Sequence, residues 1–388
     1  MKRRLTRISL LNSLSGRHRR FRTAVSLHSH THCSKEDLNF VPVVVSRIPV
    51  LASFYDRARN RYFQLSGKTM DFAGWYWTPP LTGQSVFTSE AERIQRQLGL
   101  QPLISVTDHD DISAARGLSI ADLSPRVPIS LEWTAPINGE ALHLGIHNLP
   151  AGSSNDIARE LEEYRCRPRK AKLAELLTLL NESSDTLVVI NHPLTRPRTA
   201  VSPRLKRLVT EFLKDHGERI HALEVNGYRP WTENHATVAL AEQFGLPVVS
   251  GGDRHGRTAN AVLNLTNART FSEFAFEVRH EKVSEVLVMP EYWRDLLARK
   301  IESVADFFRS YPEHPRGQRL WTDRVFVQLE EGVVRPLSNY WRDTAPAWVK
   351  SAMWLVCLVQ SKYLQGALRM AIPKKVRVRM LGEGHSWS

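Results

Sequence analysis

The sequence predicts an α/β protein: strands alternate with helices around one parallel sheet or barrel, and a helical appendage follows. Three observations carry this. Short apolar runs rich in Val, Ile and Leu recur between residues 23 and 251, as buried parallel strands do. Helical patterns lie between several of them. Most runs end in His, Asp or Glu, and functional residues of barrels collect at the C-terminal ends of strands.

In chain order the runs are TAVSLHSH, PLISVTDHD, VPISLEW, ALHLGIH, TLVVINHP, HALEVNG and LPVVSGGDRH. Seven strands suffice for a barrel. Helical periodicity covers 89–98, 157–180, 202–216 and 232–244. No repeat of solenoid period is visible. Residues 39–88 are a long insertion containing DFAGWYWTPPLTG. Loops of such length are functional or disordered. Its aromatics fit either an ordered flap at the barrel mouth or a satellite cluster on the barrel's side. After Pro290 the character changes. Residues 291–388 hold helical stretches, tryptophans and basic residues, without a His/Asp/Glu cluster. Residues 344–370 fit one helix with a strongly apolar side, followed by basic PKKVRVRM. That helix packs on the barrel or rests on a membrane or partner.

A chain of 388 residues holds one large α/β domain and an appendage. Its three cysteines, Cys33, Cys166 and Cys357, are scattered. This excludes a disulfide framework and a thiolate zinc site, and points to a reduced, cytoplasmic compartment. The net charge of +13 sits at the ends. Residues 1–22, read as a basic N-terminal tail, carry +8, and residues 362–388 carry +5. The body is neutral, which disfavours a duplex nucleic acid as substrate. The tails suit weak contact with nucleic acid or an anionic membrane surface. The apolar stretch Ile8-Ser9-Leu10-Leu11 is too short for a signal-peptide core, and no run has transmembrane length.

The densest chemistry is SLHSHTHCSKEDL, residues 26–38. His28, His30 and His32 alternate, and alternate residues of a strand share a face. His28 and His30 are therefore expected side by side at a strand end, placed to grip a metal ion. Imidazole suits zinc, iron or manganese. The later strand ends add Asp108, His109 and Asp110, then Glu132, His143, His192, Glu224, Asp253 and His255. Singly, each fits a turn or a capped core imidazole. A series at successive strand ends does not, because buried charges need partners.

The order HxH, TDH, strand-end Glu, HLG, NHP and GGDxH resembles the polymerase and histidinol phosphatase (PHP) superfamily over residues 24 to about 288, or 23–290 as a domain. The resemblance implies a distorted (β/α)7 TIM-like barrel with two or three divalent transition-metal ions, Zn, Mn or Fe, at its mouth. It implies that His28, His30 and Asp253 hold a first ion, and that Glu132 bridges to a second held by His143 and His192. A third would lie between His109 and His255. The family's usual aspartate is missing where Lys35 stands, and Glu36 is the substitute. The implied activity is hydrolysis of a phosphate ester by a metal-activated hydroxide. Glu132, Asp253 and Asp108 are the catalytic candidates, with Asp108 and Asn191 orienting ligands. Arg254, Arg257 and Lys35 are candidate substrate-binding cations. The substrate would be a small phosphomonoester or a nucleotide or nucleic-acid phosphodiester. The rival reading is a metal-stabilised scaffold acting through its C-terminal helices, which an open hydrolytic ligand set argues against.

Overall fold

A computed structural model describes residues 5–11, 16–38, 49–67, 69, 72, 74–121, 127–195, 203–330, 333–341 and 350. The expected apolar helix over 344–370, Lys350 apart, and the basic C-terminal end lie outside the described residues, as do parts of the 39–88 insertion.

The strands are β1 (Thr6–Leu10), β2 (Thr23–Ser26), β3 (Glu36–Asp37), β4 (Tyr76–Trp77), β5 (Gln101–Ile104), β6 (Leu131–Ile137), β7 (Glu140–His147), β8 (Leu187–Ile190), β9 (Ala222–Asn226), β10 (Val248–Gly251), β11 (Val262–Thr266), β12 (Ser284–Val288), β13 (Val325–Glu330) and β14 (Val333–Pro336). The α-helices are α1 (Pro49–Ser66), α2 (Gly83–Leu98), α3 (Ser113–Ala121), α4 (Ser154–Cys166), α5 (Lys170–Glu182), α6 (Pro203–His216), α7 (Trp231–Gln243), α8 (Phe271–Arg279), α9 (Leu296–Phe308) and α10 (Ser338–Trp341). All seven predicted strands form.

The protein is α/β, but the expected TIM-like barrel is not what forms. The strands make three sheets, none closed: the mixed β1-β12-β11-β2-β5 and β10-β9-β8-β7-β6, and the antiparallel β14-β13-β4-β3. The physical reason lies in two places. First, β6 and β7 pair antiparallel through a two-residue hairpin, so no helix crosses between them. Asn138 and Gly139 both have positive φ, 51° and 78°, the type I′ turn that an Asn-Gly pair favours. Second, β11 runs antiparallel to both β2 and β12. The C-terminal region is not wholly helical either. Besides α9 it carries the β13–β14 hairpin, which pairs with β4 of the insertion. The basic N-terminal stretch contains β1, parallel to β12.

The two five-stranded sheets enclose one apolar interior. Val25, Leu27 and Leu103 of one meet Leu187, Val189, Ala222 and Val249 of the other, with Phe271 and Phe274 of α8 beside them. Two isolated bridges link the sheets: Ser29 with Arg254, both past strand ends, and His109, past β5, with Glu132 near the start of β6. There the ionisable residues converge. Among the described residues, no helix is long and apolar enough to cross a membrane.

Candidate metal centre

Three site residues sit two positions beyond a strand: His28 after β2, His192 after β8 and Asp253 after β10. All three have left-handed backbone, with φ of 62°, 27° and 49°. Non-glycine residues adopt this region at a cost, and such strain clusters at functional sites. The pleat therefore does not bring His28 and His30 together, as alternation implied. A left-handed turn does. His32 points elsewhere: its backbone N–H donates to Leu81 O, and its Nε2 lies 3.8 Å from Cys33 Sγ.

The structure brings all nine predicted ligands together. Four groups of three could each hold a metal ion: His28, His30 and Glu132; His28, His192 and Asp253; His30, Glu36 and His255; His109, Glu132 and His143. Glu132 is central and buried. Its Oε2 lies 3.1 Å from His28 Nε2, 3.3 Å from His30 Nε2 and 3.4 Å from His109 Nε2. Its Oε1 lies 3.3 Å from both His143 Nδ1 and His192 Nε2, and Asn191 donates to it at 3.0 Å. The two oxygens thus face two different sets of imidazoles.

In three of the rings, hydrogen bonds fix which nitrogen is bare. His28 Nδ1 lies 2.9 Å from Glu224 Oε2, so it carries the proton and donates. Ser34 Oγ donates to Glu36 Oε1 at 2.6 Å and must accept from His30 Nδ1, 3.1 Å away. His255 Nδ1 donates to the Asp253 carbonyl at 2.9 Å. The Nε2 atoms of all three therefore present lone pairs. Those of His28 and His30 face each other at 3.1 Å, with Glu132 Oε2 beside them. That of His255 faces Glu36 Oε2 at 3.2 Å. Acceptor faces acceptor throughout.

Without a cation, only protons relieve this, and the titration shifts follow. Burial pushes His28 and His30 down, but Glu132 and Glu224 raise His28 well above its ordinary value, and Glu36, Asp253 and Glu132 raise His30 to about 10. Burial prevails at His109, which falls to about 4. Burial would raise Glu132, Glu36 and Asp253, yet neighbouring imidazoles, joined at Asp253 by the Arg229 guanidinium, hold all three below the carboxylate range. A divalent ion does the same work with the imidazoles neutral, so the donor set fits such ions.

The other predicted residues fall differently. Asp108 is buried and accepts from Thr31 N–H and, at 2.7 Å, from Thr31 Oγ1. It braces the HxH loop and touches no imidazole ring. Burial raises it to about 6. Lys35 is exposed, its ammonium 5.5 Å from the Tyr76 ring centre. Arg257 is exposed. Arg254 is the clear correction. It is fully buried and donates to Glu90 Oε1 at 2.8 Å, Ser89 Oγ at 2.9 Å and the carbonyls of Gly256 and Arg257. Its donors are spent on the framework, so it is no phosphate fork.

Several contributors escaped the sequence reading. Glu224 was visible as a strand-end acid, but its partner His28 is 196 positions away. Its reach across β10 needs Gly251, because a Cβ there would collide with the carboxylate. Arg229 Nη2 bonds Asp253 Oδ2 at 2.8 Å, from the turn that Asn226-Gly227 opens, with no local pattern to link the two. Trp77 is the register partner of Glu36, hence on the same sheet face, and its ring centre lies 5.8 Å from that of His255.

No family model and no curated protein matches the chain. Among solved structures it is similar to PsfC from Pseudomonas syringae PB-5123, with 15% identity and a TM-score of 0.37, over 57% of this chain and 90% of that one. It is also similar to a protein of Bifidobacterium adolescentis ATCC 15703 provisionally named a metal-dependent phosphoesterase, with 15% identity and a TM-score of 0.29, over 57% of this chain and 92% of that one. TM-scores this low carry no argument about this protein. What stands is its own geometry: clustered imidazoles and carboxylates in an α/β fold, drawn from loops that follow strands and, for Glu36, Glu132 and His143, from within β3, β6 and β7, that could hold metal ions.

Proposed function

We propose that this protein is a metal-dependent phosphoesterase of the PHP type, acting on a small phosphomonoester or a nucleotide phosphodiester. The observation that carries the reading is the bridging position of Glu132, with one oxygen on each side and imidazole nitrogens around both. When bound, two or three transition-metal ions supply Lewis acidity, polarising a phosphoryl oxygen and acidifying a water.

The chain's own residues do the rest. Glu132 sets the spacing between the two halves of the cluster. Glu224 holds the His28 proton on Nδ1, leaving Nε2 free to ligate; such outer carboxylates fix tautomer and ring angle. Ser34 couples His30 to Glu36 in the same way. Arg229 pins one oxygen of Asp253 and leaves the other, Oδ1, 3.6 Å from His30 Nε2. The neutral body favours a small substrate over duplex nucleic acid.

The test is hydrolysis of a panel of phosphate mono- and diesters, including p-nitrophenyl phosphate and its bis ester. Chelated protein should be inactive and regain activity with Mn or Zn. Protein carrying its full complement of ions and hydrolysing none of the panel would contradict the reading.

A further inference from the structure

Three arginines are among the largest fully buried side chains: Arg254, Arg299 and Arg324. Two are satisfied. Arg254 has Glu90 and its carbonyls, and the terminal nitrogens of Arg324 reach the carbonyls of Gln318, Arg319, Phe307 and Arg309. Arg299, in the first turns of α9, is different. Its Nε is buried without a partner. Among the described residues no carboxylate lies within ion-pair reach of it. Glu302, the acid that acts on it, is paired with Arg294.

What surrounds Arg299 is aromatic. Its guanidinium carbon lies 5.3 Å from the Tyr228 ring centre and 5.4 Å from that of Tyr292. Both tyrosines are tied to Arg229. Tyr228 precedes it in the chain, and the Tyr292 hydroxyl donates to the Arg229 carbonyl at 2.7 Å. Arg229 reaches Asp253 with Nη2, while its own Nε is buried and unpartnered. Lys300 follows Arg299 and reaches solvent. Burial and the Arg229 guanidinium push its ammonium below the ordinary lysine value, and Asp253 opposes them. The acids on this side are Asp253, engaged in the cluster, and Glu233, which accepts from Thr195 Oγ1. A buried, unpaired guanidinium is costly unless an anion completes it. Guanidinium forks match phosphate oxygens in pairs, and an ammonium adds a point charge.

We propose that Arg229, Arg299 and Lys300 form an anion subsite beside the metal cluster, which holds a phosphate group of the substrate other than the one hydrolysed. The inference rests on the phosphoesterase reading and narrows its substrate to a small molecule bearing two phosphate groups.

Two arms test it on the full-length protein. In the first, inorganic phosphate is titrated into chelated protein by calorimetry. Wild type should bind, and Lys300→Ala and Arg299→Met should each bind about tenfold more weakly, as loss of a charge-assisted contact does. If Arg299→Met does not fold, Lys300→Ala alone decides. Equal binding by the variants, or none by wild type, overturns the subsite. In the second, metal-loaded protein is assayed on fructose 1,6-bisphosphate and fructose 6-phosphate. The ratio of kcat/KM for the first over the second should fall about tenfold in Lys300→Ala. An unchanged ratio overturns the second-phosphate assignment. A phosphoesterase reading that fails would show as no turnover of any ester by metal-loaded protein, while the binding arm still reports on the subsite.

Discussion

Asp253 and Arg254 are neighbours in the chain but belong to two buried polar networks of opposite character. In the Arg254 network each charge has its complement. The guanidinium meets Glu90 at 2.8 Å, both fully buried. Glu90 also accepts from the Asn260 N–H at 2.9 Å, and Asn260 donates on to Ser26 Oγ and the Leu27 carbonyl. In the Asp253 network the nitrogens of His28, His30 and His255 aim lone pairs at carboxylates. In the first arrangement the charges are matched within the chain, with Asn260 Oδ1 the one acceptor left without a donor, and it ties α2 to β2 and the loop after β10. The second is completed by something the chain does not contain. Buried charge alone therefore does not mark a site; several buried acceptors converging without donors do.

This contrast can be broken experimentally, and the largest effect should come from Glu132. Glu132→Gln removes the charge shared by both halves of the cluster. Losing even an outer partner of a ligand costs on the order of 10–100-fold, so loss of this central group should cut phosphoesterase kcat by more than about 100-fold with folding retained. Metal-loaded Glu132→Gln protein with wild-type rates would refute the bridging role.

The Arg254 network should answer in stability instead. Glu90→Gln or Arg254→Met leaves one buried charge alone and should cost about 3–5 kcal/mol in denaturant unfolding, whereas replacing both partners with apolar residues should recover much of that. Metal content per folded chain should stay at the wild-type value. If it drops in step with stability, the two networks are not separable as described.

A smaller effect is expected at Glu36, which faces His30, His109 and His255 but not the His143 and His192 side of the cluster. Glu36→Ala should lower metal content by about one ion and weaken affinity there by roughly 10–100-fold. A mutant matching wild type in ion count and rate would leave a two-ion centre.

The gentlest probe is pH. In chelated protein His30 titrates near 10, against about 6.5 unfolded. Between those values the folded state holds a proton that the unfolded state has lost. The stability from that proton is full below about pH 6.5 and disappears as pH rises towards 10. Bound ions replace it, so metal-loaded protein should lose less over this window. Parallel Tm-versus-pH curves with and without Mn would count against lone pairs directed at ions.

Most of the cluster residues were legible because they are charged or imidazole side chains at or near the end of an apolar run, and packing offers no reason for such a series; Glu36, in polar SKED, came only from the family resemblance. The closed barrel was misread for a local reason. Asn138-Gly139 announces a hairpin between two apolar runs that were taken as parallel, and one antiparallel pair removes a crossover helix. The helical reading of 157–180 also missed the break at Arg167-Pro168 between α4 and α5. Arg254 was misassigned because its partner Glu90 stands 164 positions earlier; no local pattern reveals that pairing. Arg229 was missed for the same reason, its partner Asp253 standing 24 positions later; Arg299 was missed for the converse one, since isolation from carboxylates is visible only in three dimensions.

The central claim, that the cluster is built for cations, is tested most directly by elemental analysis of protein purified without chelators. The account predicts at least two transition-metal ions per chain, removable by chelation and restored on adding Zn or Mn. Protein that carries none as purified and takes up none from either metal would contradict it.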